Sequence, residues 1–265
     1  TDRNRTSPFA FTGNKFEFRM VGSSFSIACP NVILNTCVAD VLSDFADQLE
    51  KADDFTAALK KLVKTTIREH KRIIFNGNNY SVEWVREAEK RGLLNLKATP
   101  DALAYYTSDK NVALFEKHGV LSKSELFSRY EIILENYCKQ LHIEALTMLG
   151  MIRKEIIPAV CGYMRDLSTQ ALNKKQLGIG IELESTLLKK ISALSERLYE
   201  AAEELQKAAD KESGFSNIQE EANYYKDVVL DRMQKARAVS DELEPCVGEK
   251  YWPFPSYSDL LFSVK

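Results

Sequence analysis

At 265 residues the chain can bury a sizeable core in one or two domains, and its 45% hydrophobic and 28% charged residues are the ordinary mixture of a globular protein. A formal net charge of -2 and a pI of about 6.0 supply no basic field for nucleic acid or an anionic membrane, so neither partner is expected. The most apolar stretch, 25–42, is broken by Pro30, Asn31, Asn35 and Asp40, where a spanning helix needs ~20 mostly apolar residues.

Residues 9–19 read Phe-Ala-Phe-Thr-Gly-Asn-Lys-Phe-Glu-Phe-Arg, with aromatics alternating on both sides of the turn dipeptide Gly13-Asn14. The pattern predicts a short β-hairpin. Period-two geometry puts Phe16 and Phe18 on one face of its second strand, and Glu17 and Arg19 on the other.

From Pro30 onward the chain reads as helix. Leu34, Val38, Val41, Phe45 and Leu49 recur at spacings of three and four, widened by Ile33, Cys37 and Leu42, which predicts a deeply buried helix. A second helix starts near Asp54, with Leu59, Leu62, Val63 and Ile67 on its apolar side. Asn76-Gly77-Asn78-Asn79 predicts a loop, Ser81 opens a short helix that Gly92 closes, and Thr99-Pro100 predicts an N-cap followed by proline at the first helical position. Ser122 with Glu125 forms a capping-box pattern. Beyond it run Leu134, Cys138, Leu141, Ala145, Met148 and Ile152, until Pro158 kinks or interrupts the helix.

Leu187, Ile191, Leu194, Leu198, Ala201, Leu205 and Ala208 then hold heptad spacing. Ser213-Gly214 breaks the run and Ser216 with Gln219 recaps it. Ile218, Ala222, Tyr225, Val229, Ala236, Val239 and Leu243 continue the pattern, flawed only by Arg232. Two heptad helices with a short break predict an antiparallel helical hairpin. The aromatic, proline-rich tail at 251–257 is expected to pack over the fold. The fold class is therefore mainly α: a short β-hairpin in residues 1–30, then a helical domain, 31–265, with long antiparallel helices.

Chemistry is sparse. The five cysteines (Cys29, Cys37, Cys138, Cys161, Cys246) form no CxxC pair and favour a reducing compartment, and Asp2, Arg3 and Arg5 stand where a leader would be apolar, so a soluble, cytoplasmic protein is expected. His70, His118 and His142 lie far apart and lack metal-site spacing. Only the first 20 residues concentrate charge among aromatics, in Arg3, Arg5, Glu17 and Arg19. Arginine presents a rigid fork of donors suited to carboxylate and phosphate, and a carboxylate beside it stays ionised and suits a hard cation. Spacing alone is equally met by a salt-bridged hairpin with an exposed polar face.

The string Asn4-Arg5-Thr6-Ser7, followed by Asn14-Lys15-Phe16-Glu17-Phe18-Arg19, resembles the last active-site strands of the glutamine synthetases. That family carries an Asn-Arg-Ser-like motif and then a Lys-Arg-(Ile/Phe)-Glu-(Val/Phe)-Arg-like strand. The form of residues 2–19 is similar to the type III branch, as are the segments 71–78 and 89–96, so the resemblance spans essentially the whole chain.

The resemblance implies that residues 1–30 are the C-terminal part of a catalytic domain and 31–265 a helical C-terminal domain. It implies that Arg5 contacts phosphate groups of ATP or the acyl phosphate. Glu17 would bind one catalytic Mg²⁺ or Mn²⁺, and Arg19 would hold glutamate and stabilise the transferring phosphoryl group. The implied reaction is ATP-dependent ligation of ammonia to glutamate through a γ-glutamyl phosphate, by a ring-based homo-oligomer, a dodecamer in the full-length protein. Two departures stand out: Ala10 occupies the position of a second family arginine, and Met20-Val21-Gly22 replaces a proline-rich turn. The remaining metal ligands and nucleotide-binding segments would lie upstream, so this chain alone is expected to be inactive. The alternative is a non-catalytic helical scaffold or oligomerisation module.

Overall fold

The computed structural model describes residues 9–11, 16–18, 26–74, 81–211 and 214–262, with the side chains at 9–11, 16–18, 257 and 258 left aside. Phe9–Phe11 (β1) and Phe16–Phe18 (β2) pair antiparallel, Phe9 opposite Phe18, Ala10 opposite Glu17 and Phe11 opposite Phe16. Gly13 and Asn14, expected to form the turn, lie outside the described residues. Every other regular element among the described residues is helical. The chain divides into two compact units, Thr1–Tyr130 and Glu131–Lys265. The division at residue 30 expected from sequence is of another kind, a change from strand to helix.

In the first unit the helices are α1 (Ala28–Glu50), α2 (Phe55–His70), α3 (Val82–Lys90), α4 (Thr99–Tyr106) and α5 (Asp109–Lys117), and α6 starts at Lys123. Their starts follow local chemistry. Asp54 accepts the Ala57 N–H at 3.0 Å and Ser81 accepts the Trp84 N–H at 3.2 Å, each relieving an orphan donor of a first turn. Ser122 and Glu125 form the expected reciprocal box: the Ser122 N–H donates to the carboxylate at 2.8 Å and the Glu125 N–H to the hydroxyl at 3.3 Å. At α4 the cap is Ala98, and Thr99 is already helical, one residue earlier than its proline suggested.

The core of this unit is Val112, Phe115 and Leu126, with Ile33, Tyr106 and Leu121 packed on it. The deep burial expected of α1 is not found: Thr36 is its one buried residue, and Val38, Val41 and Leu42 are exposed. A wide apolar stripe needs neighbours on more than one side, and here Ile33 is the α1 side chain that packs on this core.

In the second unit α6 runs on to Met151, followed by a π turn, Ile152–Ile156, and then α7 (Ile157–Gln176). Pro158 lacks an N–H, and the expected interruption takes the form of this wide turn just ahead of it. α8 (Glu182–Ala209) packs against α7 and against α10 (Leu230–Leu243), which α9 (Ile218–Tyr224) precedes. The cap of α9 is Asn217, accepting the Glu220 N–H at 2.9 Å, one residue beyond the expected Ser216. Ile191, Leu194, Leu198 and Leu205 of α8 are buried, as are Ala222, Tyr225, Val229, Ala236, Val239 and Leu243 across from them.

A second π turn, Tyr225–Val229, lies just before the flaw in that pattern. Beyond it Met233 is buried and Arg232 meets Glu204 at 3.1 Å, while Ala236, Val239 and Leu243 keep the expected register. The tail packs as expected: the Tyr251 ring lies 5.2 Å from that of Tyr163, and its hydroxyl donates to Asp166 at 2.5 Å. Gly248 lies beside both rings, where a Cβ would make ordinary contact at 3.5 Å with each.

Candidate functional site

Glu17 is the middle residue of β2, directly opposite Ala10 on β1. Ala10, where the resemblance expects a second arginine, is therefore the cross-strand backbone partner of Glu17. Arg5 and Arg19 lie outside the described residues. Two three-residue strands do not make a stable sheet by themselves, so β1 and β2 require further strands or a packed face.

The described residues hold three other concentrations of charge. On α1, Asp40 accepts from Lys117 Nζ at 2.6 Å and lies 2.9 Å from His118 Nε2, while Lys117 also reaches Asp44 at 3.1 Å. The hydrogen bond from Lys117, then that from His118, holds the Asp40 carboxyl below its ordinary range, and the two aspartates raise Lys117. These groups border an open, largely apolar cleft of ≈ 410 Å³ lined by Cys37, Val41, Ala113 and Leu114, with Lys110 and Lys117 at its edge. Such a cleft offers lysines to an anion.

In the second unit Lys174 bonds the buried carboxylate of Glu184. His142 Nδ1 lies 3.2 Å from the Tyr225 hydroxyl at the second π turn, with the rings edge to face. Neither cluster carries a second metal-binding type. Among the described residues no three His, Cys, Asp or Glu side chains converge to hold a metal. All five cysteines are free, and burial pushes the Cys138 thiol up to about 12. No described helix is long and apolar enough to cross a membrane. Sequence reasoning missed the Asp40–Lys117–His118 cluster because its partners lie on separate helices, with no motif linking them.

Residues 58–175 match the family described as the glutamine synthetase C-terminal domain. Along its whole length the chain is similar to the glutamine synthetase of Butyrivibrio fibrisolvens, 42% identical over 272 residues, covering 100% of this chain and 38% of the relative. It is 37% identical to the type-3 glutamine synthetase of Dictyostelium discoideum, across 99% of this chain and 37% of that protein. The glutamine synthetase of Bacteroides fragilis (strain YCH46) is 32% identical, with 99% and 37% covered. The chain thus spans less than two-fifths of the length of these relatives.

Proposed function

We propose, from the premise that this chain belongs to the glutamine synthetase family and carries its C-terminal domain at residues 58–175, that it is the C-terminal part of a glutamate–ammonia ligase. The observation that carries this reading is the match along the whole chain, which joins β1, β2 and the helices into one family pattern. Residues 1–30 finish the catalytic domain as a closing β-hairpin, and the helices serve assembly of a ring-based homo-oligomer, a dodecamer. The heptad faces of α8 and α10 are used up within the second unit, which favours this reading over a free coiled-coil scaffold. Five free cysteines suit a reducing, cytoplasmic setting.

The reaction is phosphoryl transfer from ATP to the glutamate γ-carboxylate, followed by attack of ammonia on the acyl carbon with loss of phosphate. Arg5 binds phosphate oxygens, and Arg19 orients glutamate and balances charge on the moving phosphoryl group. Bound Mg²⁺ or Mn²⁺ would neutralise the nucleotide phosphates. Glu17 is this chain's share of that metal site. With no other converging ligands among the described residues, the rest of the site belongs to preceding polypeptide, and this chain alone is inactive.

Glu17→Ala in the full-length protein tests the assignment. Loss of metal-dependent glutamine formation is expected. Full activity with an unchanged Mg²⁺ requirement would sink the role given to Glu17.

A further inference from the structure

α1 and α2 carry apolar faces that nothing among the described residues covers. Phe55, Leu59, Val63 and Ile67 recur every fourth residue along α2 and are 58%, 39%, 49% and 56% exposed. On the neighbouring α1, Val41 and Leu42 are 48% and 60% exposed. α1 is held on the core of its unit, and α2 packs beside it. α1 is pinned through Ile33 on the Val112–Phe115–Leu126 core and through Asp40 to Lys117 and His118, and α2 is capped by Asp54. A fixed apolar stripe with lysines at 60, 61 and 64 beside it has the anatomy of an interface, apolar at the centre and charged at the rim.

We propose that this face docks on the polypeptide that precedes the chain in the full-length ligase, the part carrying the rest of the catalytic domain. The inference rests on the ligase assignment. Three observations choose this occupant over a second copy. The matched relatives are more than twice as long as this chain, so a large partner surface exists within one polypeptide. β1 and β2 cannot stand as a two-stranded sheet and must take neighbours from that surface. Only residues 19–27 separate β2 from α1, and this link spans at most about 35 Å, which holds α1 and α2 beside the same surface at high effective concentration.

The test is photo-cross-linking in the full-length protein, with a benzophenone side chain at Leu59 or Val63, in oligomers assembled from chains of two isotopic compositions. Cross-links to residues preceding Thr1, all between segments of one isotopic composition, are the expected result. Val63→Glu, with the benzophenone at Leu59, should lose them. Mixed-isotope products would show that a second copy covers the face and would overturn the proposal. Products confined to residues 1–265 would overturn it as well. Glutamine formation by the same preparation separates the two claims. An active ligase without these cross-links refutes the docking alone, and cross-links in a protein that makes no glutamine refute the functional reading alone.

Discussion

Lys174, in the last turn of α7, bonds the carboxylate of Glu184 in the first turn of α8, tying the two helices across the turn between them. The turn is closed by Ile179 N–H donating to the Lys174 carbonyl at 2.9 Å, with Gly178 at φ +70°, a conformation that favours glycine. Glu184 is 2% exposed, and its second oxygen has no hydrogen-bond partner among the described residues. The Lys174 bond, then its own backbone N–H, holds the carboxyl below its ordinary 4.5.

A depressed folded pKa means that Glu184 stabilises the fold above its unfolded pKa, and that this contribution fades as pH falls through the folded value. The urea midpoint should therefore drop as pH is lowered through and below 4.5, and Glu184→Gln should flatten that part of the curve. Lys174→Met should be worse than Glu184→Gln at neutral pH, because it strands a buried carboxylate. Superimposable pH curves for the parent and Glu184→Gln would refute the linkage.

Leu198 and Arg232 make a second contrast. Leu198 is fully buried on α8, and Leu198→Ala should cost about 2–5 kcal/mol in denaturant unfolding. Arg232 interrupts the heptad pattern yet meets Glu204 at the surface, and Arg232→Ala should cost about 0–1 kcal/mol. A cost for Arg232→Ala as large as that for Leu198→Ala would refute a surface ion pair as the whole role of Arg232.

That contrast shows what sequence reveals here. Periodicity locates the helices and most core positions of the second unit, because those stripes are consumed by neighbouring helices of the same unit. It does not say which of two adjacent positions takes the core side, so Arg232 looks like a flaw and Met233 goes unnoticed. It overstates α1, since a stripe records where burial is wanted and not whether the partner is present. Glu17 is legible only through a family motif, as its strand is three residues long and its charge pattern suits any surface hairpin. The Asp40–Lys117 pair, 77 residues apart, leaves no local trace at all.

On the proposed roles, Glu17→Gln and Arg19→Ala in the full-length protein should fail differently. Glu17→Gln removes a ligand charge, so the Mg²⁺ concentration for half-maximal activity should rise by about 10–100-fold. Arg19→Ala removes a donor to developing charge and should lower kcat by about 10²–10³-fold with little change in Mg²⁺ requirement. Titrating metal at saturating ATP and glutamate distinguishes them. The same response in both variants would refute the separate roles.

The cysteines provide a reporter for the two units. Cys29, Cys37 and Cys161 are exposed, whereas Cys138 is 4% exposed on α6. Burial raises the Cys138 thiol to about 12, with the nearby Glu221 carboxylate adding to the shift. Since the thiolate is the reactive form, the raised thiol of Cys138 reacts slowly even when reagent can reach it. Timed alkylation with mass mapping should therefore modify Cys29, Cys37 and Cys161 first. Cys246 should lag, being half-buried with its S–H donating to the Glu242 carbonyl at 3.4 Å. Cys138 should react only as fast as the second unit opens, so urea below the unfolding midpoint should speed it and leave Cys161 nearly unchanged. Fast native labelling of Cys138 would refute its burial.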